Sequence, residues 1–310
     1  MNNLAPILLF AYNRPEHLQR TLDSLFTNPQ AKKSQLTIFC DGAKPDASAE
    51  QRRRIEQVAA IANQENRAAH TQIHISTTNQ GLSASIRGGV SQVLQEHPTA
   101  IVLEDDLIFG KSYLEFMNTA LDTYAQNEHV LQVSGFQFPF RRQPTAPFFM
   151  PVAVTLGWGT WKRAWETFDF SAPGYERLKS DAMLRRKFNL NGSYDYTTML
   201  LRQVEAGRKD SWGVLFWWEV FRRNGYVLYP GYSLVQHKDS GNRGTHVSNY
   251  DHYDWPDWQD DFICQPLPAQ VESDDAAFKN LCRYIRSNRK HIAGRVMGKI
   301  MALVRARLPH

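Results

Sequence analysis

Cysteine is scarce in this chain and poorly placed for chemistry. Cys40, Cys264 and Cys282 are odd in number, far apart and without CxxC spacing, which excludes a disulfide framework and a cysteine zinc site. No run of about 18 apolar residues occurs, which argues against a membrane-spanning helix. Met1 to Pro6 lacks the charged and apolar regions of an export signal, so the chain is expected in the cytoplasm. No GxGxxG follows the first apolar run and no GxxxxGK[ST] occurs, which excludes a dinucleotide fingerprint and a P-loop. Internal repeats and low-complexity linkers are also missing. What remains is a 310-residue chain with 42% hydrophobic residues, enough for one large core-forming domain.

Acids are absent from residues 276–310, which carry Lys279, Arg283, Arg286, Arg289, Lys290, Arg295, Lys299, Arg305 and Arg307. That tail is +9, and the net charge of +5 leaves −4 for residues 1–275. Ile292, Val296, Ile300, Leu303 or Val304, and Leu308 recur every three or four residues, an apolar stripe beside the basic groups. The pattern suits a peripheral helix on an anionic membrane surface, at the inner face of the membrane, and no nucleic-acid partner is expected. It equally suits a helix packed on the body, and Gly294 and Gly298 weaken it in isolation.

The apolar run Ala100-Ile101-Val102-Leu103 stops in Glu104-Asp105-Asp106, the pattern of a buried strand delivering carboxylates to a sheet edge. Adjacent acids repel unless a positive charge lies between them. Mn²⁺ or Mg²⁺, which take oxygen ligands and borrow only one or two from protein carboxylates, would fill that place. Three earlier runs have the same form. Ile7 to Phe10 leads into Tyr12-Asn13-Arg14-Pro15 and a helix with Leu18, Leu22 and Leu25 on one face; Leu36 to Cys40 ends in Asp41-Gly42; Ile73 to Ser76 leads to Asn79-Gln80-Gly81 and a further helix. Ser112 and Glu115 have capping-box spacing before the next helix. Strands alternating with helices predict an α/β fold with a mostly parallel sheet, whose C-terminal strand ends share one ligand-binding edge. Asn13, Arg14, Asp41, Asn79 and Asp106 are therefore expected to converge on one crevice, although each alone reads as a turn residue.

Ala11-Tyr12-Asn13-Arg14-Pro15, Cys40-Asp41-Gly42, Asn79-Gln80-Gly81-Leu82 and Glu104-Asp105-Asp106 resemble the successive motifs of GT-A-fold glycosyltransferases of the family 2 type. The acid triplet is similar to that of inverting N-acetylglucosaminyltransferases. Gly157-Trp158-Gly159-Thr160-Trp161 and Tyr229-Pro230-x-x-Ser233-Leu234-Val235 resemble segments of bacterial surface-polysaccharide transferases. The resemblance implies a GT-A, Rossmann-like sheet flanked by helices, an inverting transfer, a nucleotide-diphosphate sugar donor and a glycan or lipid-linked acceptor. It implies that Tyr12, Asn13, Arg14, Asn79, Gly81 and Glu104 line the donor site, with Asp41 near the base or ribose and Asp105 near the sugar or ribose. Asp106 would ligate Mn²⁺ or Mg²⁺ on the diphosphate.

An inverting transfer needs a carboxylate to take the acceptor proton. Asp210 and Glu219 are the candidates, and likeness to the acid-plus-Trp element of related transferases favours Asp210. Asp210 also reads as the N-cap of a helix over Val214 to Arg223, and Glu219 as a solvated helix face. In the polar loop between His237 and His246, His246 is a candidate metal ligand and Arg243 or Lys238 a phosphate clamp. Trp161, Trp165 and Phe168 have helical spacing and read as core. Trp158, between glycines in an expected turn, could stack on a sugar face. The loop Tyr250 to Trp258 could receive an acceptor sugar or form a surface hairpin.

The expected organisation is one domain over residues 1–270, with a donor half to residue 128 and an acceptor half over 129–270, followed by a basic helical appendage over 271–310. Two other functions fit the same crevice. A metal-dependent sugar-phosphate nucleotidyltransferase would normally show a Gly-rich loop after the first strand, and a non-catalytic glycan- or lipid-binding module should tolerate loss of Asp106 and Asp210.

Overall fold

The computed structural model describes residues 4–207, 211–237, 258, 260–262 and 266–287. Asp210, Lys238, Arg243, His246 and the tail beyond residue 287 lie outside the described residues.

Strand and helix alternate through the first half as the sequence predicts: β1 (Ile7–Ala11), α1 (Pro15–Leu25), β2 (Gln35–Cys40), α2 (Ala49–Gln64), β3 (His70–Ile75), α3 (Leu82–Glu96) and β4 (Thr99–Glu104). Next come β5 (Leu107–Phe109), α4 (Tyr113–Thr123), β6 (Val130–Ser134), β7 (Phe148–Met150) and β8 (Trp158–Trp161). The remainder comprises α5 (Lys162–Trp165), α6 (Arg177–Ser180), α7 (Ala182–Phe188), α8 (Tyr196–Val204), α9 (Trp212–Arg222), β9 (Tyr226–Tyr229) and β10 (Val235–His237).

Eight strands form one sheet in the order β3-β2-β1-β4-β8-β6-β9-β7. β3, β2, β1 and β4 pair in parallel. β8 runs antiparallel between β4 and β6, so β6 regains the direction of β4, and β9 pairs parallel to β6. Only β8 and the edge strand β7 are reversed. The molecule is thus a mixed α/β protein with a mostly parallel central sheet flanked by helices. Register sets the edge that matters: Ala11, Cys40 and Ile75 align, with Glu104 beside Phe10, so four strands end level with one another.

The two inner strands are apolar on both faces because helices cover both sides of the sheet. All of β1, and Ala100 to Leu103 of β4, are buried. α1 starts at Pro15, whose missing N–H costs nothing at a first helical position, and buries Leu18, Leu22 and Leu25. α9 is enclosed from Trp212 to Val220 apart from Gly213, and its side chains there are apolar except for Glu219.

Some local expectations changed. Ser112 occupies the N-cap of α4 without making a cap bond, because its hydroxyl donates to the Phe262 carbonyl. The capping box forms on α2, where Ser48 and Gln51 exchange hydrogen bonds. Trp161, Trp165 and Phe168 are core residues as expected, although the helix holding Trp165 has only four residues. Residues 275–287 are helical and dock on the body: Ala277, Leu281 and Cys282 are buried, Ser273 bridges to Phe149, and Arg286 donates to the Asn191 carbonyl at 2.9 Å. Among the described residues no helix is long and apolar enough to cross a membrane.

Candidate active site

The acid triplet occupies the turn between β4 and β5. The buried Thr21 hydroxyl lies 2.8 Å from both the Asp105 and the Leu107 carbonyl oxygens, which ties this turn to α1. Tyr12 donates its backbone N–H to Asp105 Oδ2 at 3.2 Å. Two residues on, Arg14 Nη1 donates to Asp106 Oδ2 at 3.0 Å, and His237 Nε2 lies 3.2 Å from the same oxygen. These three side chains are only 14–15% exposed. The other carboxylate oxygen, Asp106 Oδ1, is buried with no hydrogen-bond partner among the described residues.

These surroundings separate the three acids. Burial pushes Glu104 well above the usual carboxylate range, and the charges of Asp106 and Asp105 add to it. Burial first, and the Asp106 charge next, push Asp105 up to about 7. Burial also acts to raise Asp106, but the hydrogen bond and charge of His237, with the charges of Arg14 and His17, outweigh it and hold this carboxyl below its ordinary value. Asp106 is therefore the permanent anion of the turn, with Arg14 as its partner of fixed charge.

A second cluster sits on the neighbouring strand ends. Asp41 Oδ1 accepts from the backbone N–H groups of Gly42 at 2.9 Å and Gln80 at 2.8 Å. Its Oδ2 accepts from Asn79 Nδ2 and the Gly81 N–H, each at 2.9 Å. The sequence predicts Asp41 beside a base or ribose; the structure shows it organising the loop from β3 into α3. Gly81 holds a φ of +77°, a conformation natural to glycine, at the N-terminus of α3. Asn13 is fixed by its carbonyl, which accepts from Arg54 Nε at 3.0 Å. Tyr12 joins the two clusters: its phenol is shifted up by burial and then by the Asp41 charge, while its amide bonds Asp105.

Trp158 and Glu219 are not part of this edge. Trp158 lies within β8, fully buried, its ring packed 5.0 Å from Phe216, 5.7 Å from Trp212 and 6.0 Å from Trp165, so it has no free face for a sugar. Glu219 is neither solvated nor open to a substrate. It is buried in α9 with Oε1 accepting from Arg222 Nε at 2.6 Å and Oε2 from Arg222 Nη2 at 2.8 Å and Arg223 Nε at 3.2 Å. The N-cap position of that helix is Ser211.

The sequence marks His237 only as the start of the polar loop and names His246, outside the described residues, as the candidate ligand. The signal was present, since Leu234-Val235 is a short apolar run able to pair as a strand. β10 lies antiparallel to β5 with His237 opposite Leu107, which brings the imidazole beside Asp106. His17, in the first turn of α1, also contributes to the field at Asp106.

The fit of a divalent cation rests on the orphaned Asp106 Oδ1 and the adjacent His237 imidazole, an oxygen and a nitrogen donor. Among the described residues no group of three or more His, Cys, Asp or Glu is placed to hold a metal. Among the described residues Asp106 and His237 are the donors this turn offers a cation, and Mn²⁺ or Mg²⁺ held there would take its remaining ligands from phosphate and water.

No family model matches the chain, and no curated protein matches it. Among solved structures it is similar to Staphylococcus aureus TarS, at 14% identity with a TM-score of 0.37 over 53% of this chain and 30% of that one. It is similar to mouse xyloside xylosyltransferase 1, at 11% identity and a TM-score of 0.38 over 76% of this chain and 98% of that one. An active-site mutant of LgtC gives 10% identity and a TM-score of 0.36 over 72% of each chain.

Proposed function

We propose that the chain is a metal-dependent, inverting GT-A glycosyltransferase that moves a sugar from a nucleotide-diphosphate sugar onto a glycan or lipid-linked acceptor in surface-polysaccharide synthesis. The observation that carries this reading is Asp106, an ionised carboxylate at the C-terminal strand ends with one oxygen held by Arg14 and His237 and the other buried and unpartnered. The motif resemblance supplies the reaction class.

In this reading Asp106 and His237 hold the cation, and an imidazole beside the carboxylate favours Mn²⁺ over Mg²⁺. When bound, the cation supplies positive charge to a departing diphosphate. Arg14 directs guanidinium N–H groups at phosphate oxygens. The Asp41 loop, with Tyr12, Asn13, Asn79 and Gly81, orients the nucleoside, and Asp105, held by the Tyr12 amide, faces ribose or sugar. Glu104 ends β4 beside them, its carboxyl pushed upward by burial and by the charges of Asp106 and Asp105. Asp210 is the proposed base. It takes the acceptor hydroxyl proton while that oxygen bonds the anomeric carbon and the diphosphate leaves from the opposite face. Arg243 or Lys238 is proposed to clamp the diphosphate, and the basic tail to hold the enzyme near an anionic membrane surface.

The test is a panel of uridine, guanosine, thymidine and cytidine nucleotide sugars with Mn²⁺, reading release of the nucleotide. Release from one donor class is expected, lost in Asp106→Ala. Asp210→Asn should keep donor binding and lose release. Formation of nucleotide sugar from a nucleoside triphosphate and a sugar phosphate, without release from any donor, would instead establish a nucleotidyltransferase.

A further inference from the structure

We infer that Arg14 makes cation binding and diphosphate binding interdependent: its charge opposes a divalent cation that arrives at Asp106 alone and favours one that arrives with a diphosphate. This rests on the donor-site reading above.

The geometry has three parts. First, Arg14 Nη1 and His237 Nε2 both meet Asp106 at Oδ2, so a cation on this carboxylate would share it with a guanidinium that never loses its charge. Second, the guanidinium is underused. It has five N–H donors, yet its hydrogen bond to Asp106 is the only one it makes among the described residues. None of its nitrogens is among the buried atoms left without a partner, so the spare donors keep contact with solvent. Third, the backbone of Arg14 is fixed at the start of α1. The Arg14 carbonyl accepts from the His17 N–H at 3.1 Å and the Leu18 N–H at 3.0 Å, and Pro15 follows it at the first helical position.

A lone dication at Asp106 meets like charge. A dication with a diphosphate does not, because phosphate oxygens offer the guanidinium the paired acceptors that suit its planar fork. One residue thus enters both affinities with opposite sign, and the coupling is reciprocal: diphosphate tightens cation binding by the same factor as cation tightens diphosphate binding.

The experiment is calorimetric titration of Mn²⁺ alone, and of uridine, guanosine, thymidine and cytidine diphosphates with Mn²⁺, into wild type, Arg14→Gln and Arg14→Lys. Arg14→Gln is expected to bind Mn²⁺ alone about tenfold more tightly than wild type, and the nucleoside diphosphate with Mn²⁺ about tenfold more weakly, as for ordinary coupling between sites. Arg14→Lys, which keeps the charge, should bind Mn²⁺ alone as wild type does. Mn²⁺ affinity that is unchanged or lower in Arg14→Gln, with diphosphate binding intact in wild type, overturns the inference and leaves the donor-site reading standing. Failure of every protein to bind Mn²⁺ or any diphosphate overturns both. Should Arg14→Gln not fold by circular dichroism, Arg14→Met, which keeps the apolar stem, carries the same comparison.

Discussion

Both oxygens of Asp41 accept hydrogen bonds from the chain that follows it, three from backbone amides and one from Asn79. Its first role is therefore to shape the loop that a nucleoside would meet. Asp41→Ala should cost about 2–3 kcal/mol, since several partly buried donors lose their acceptor, and Asp41→Asn, which keeps one acceptor oxygen, about half of that. Urea unfolding measures both, and an Asp41→Ala protein as stable as wild type would contradict this role. Residues of this kind were partly legible. An apolar run ending in acids reveals a strand edge, so the Asp106 turn could be found from sequence. The Arg14–Asp106 contact spans 92 positions and depends on the turn after β1, which no local pattern encodes. His237 was within sight and passed over, because a histidine ending a short apolar segment reads as a loop residue until its pairing with β5 is known.

Elements explain the two misplaced residues. Glycines on either side of Trp158 suggest a turn. Gly157, with a φ of +59°, does make one, but Gly159 is glycine for another reason: a Cβ there would lie 3.0 Å from Met117 Cε and 3.2 Å from the Ala100 carbonyl oxygen. Close approach of α4 and β4 to β8, not chain reversal, crowds a side chain at that position. Glu219 reads as a solvated or catalytic acid because carboxylates are seldom buried, yet every other side chain from Trp212 to Val220 is apolar and the helix is enclosed. Arg222 and Arg223, three and four residues on, supply its counter-charges within the same helix. Glu219→Ala should lower stability by about 3 kcal/mol, the low end for breaking a buried ion pair, because the two arginines stay 23–29% exposed. Nucleotide binding by the folded fraction should be unchanged; lost binding at full stability would restore Glu219 as a site residue.

At the scale of the whole molecule, the order of elements predicts the parallel half of the sheet well, since each apolar run is followed by an amphipathic helix. The second half was less legible. β8 inserts antiparallel between β4 and β6 from far along the chain, and insertion of a distant strand leaves no periodic signal. The basic tail begins within the described residues and continues beyond them. Residues 275–287 place Ala277, Leu281 and Cys282 against the body, whereas residues 288–310 carry six more Lys and Arg and no acid. A chain ending at Ser287 should keep the thermal midpoint of the full protein and lose sedimentation with phosphatidylglycerol vesicles at low salt. Equal sedimentation of both proteins would remove the tail as a membrane element.

The central claim is that the edge where β1, β2, β3 and β4 end is a metal-dependent diphosphate site built on Asp106. Calorimetric titration of the four nucleoside diphosphates into wild type and Asp106→Ala, with and without Mn²⁺, tests it most directly. The account predicts that one diphosphate binds wild type only when Mn²⁺ is present and does not bind Asp106→Ala under either condition. Binding that is indifferent to Mn²⁺ and to Asp106, or absent for all four diphosphates, would contradict it.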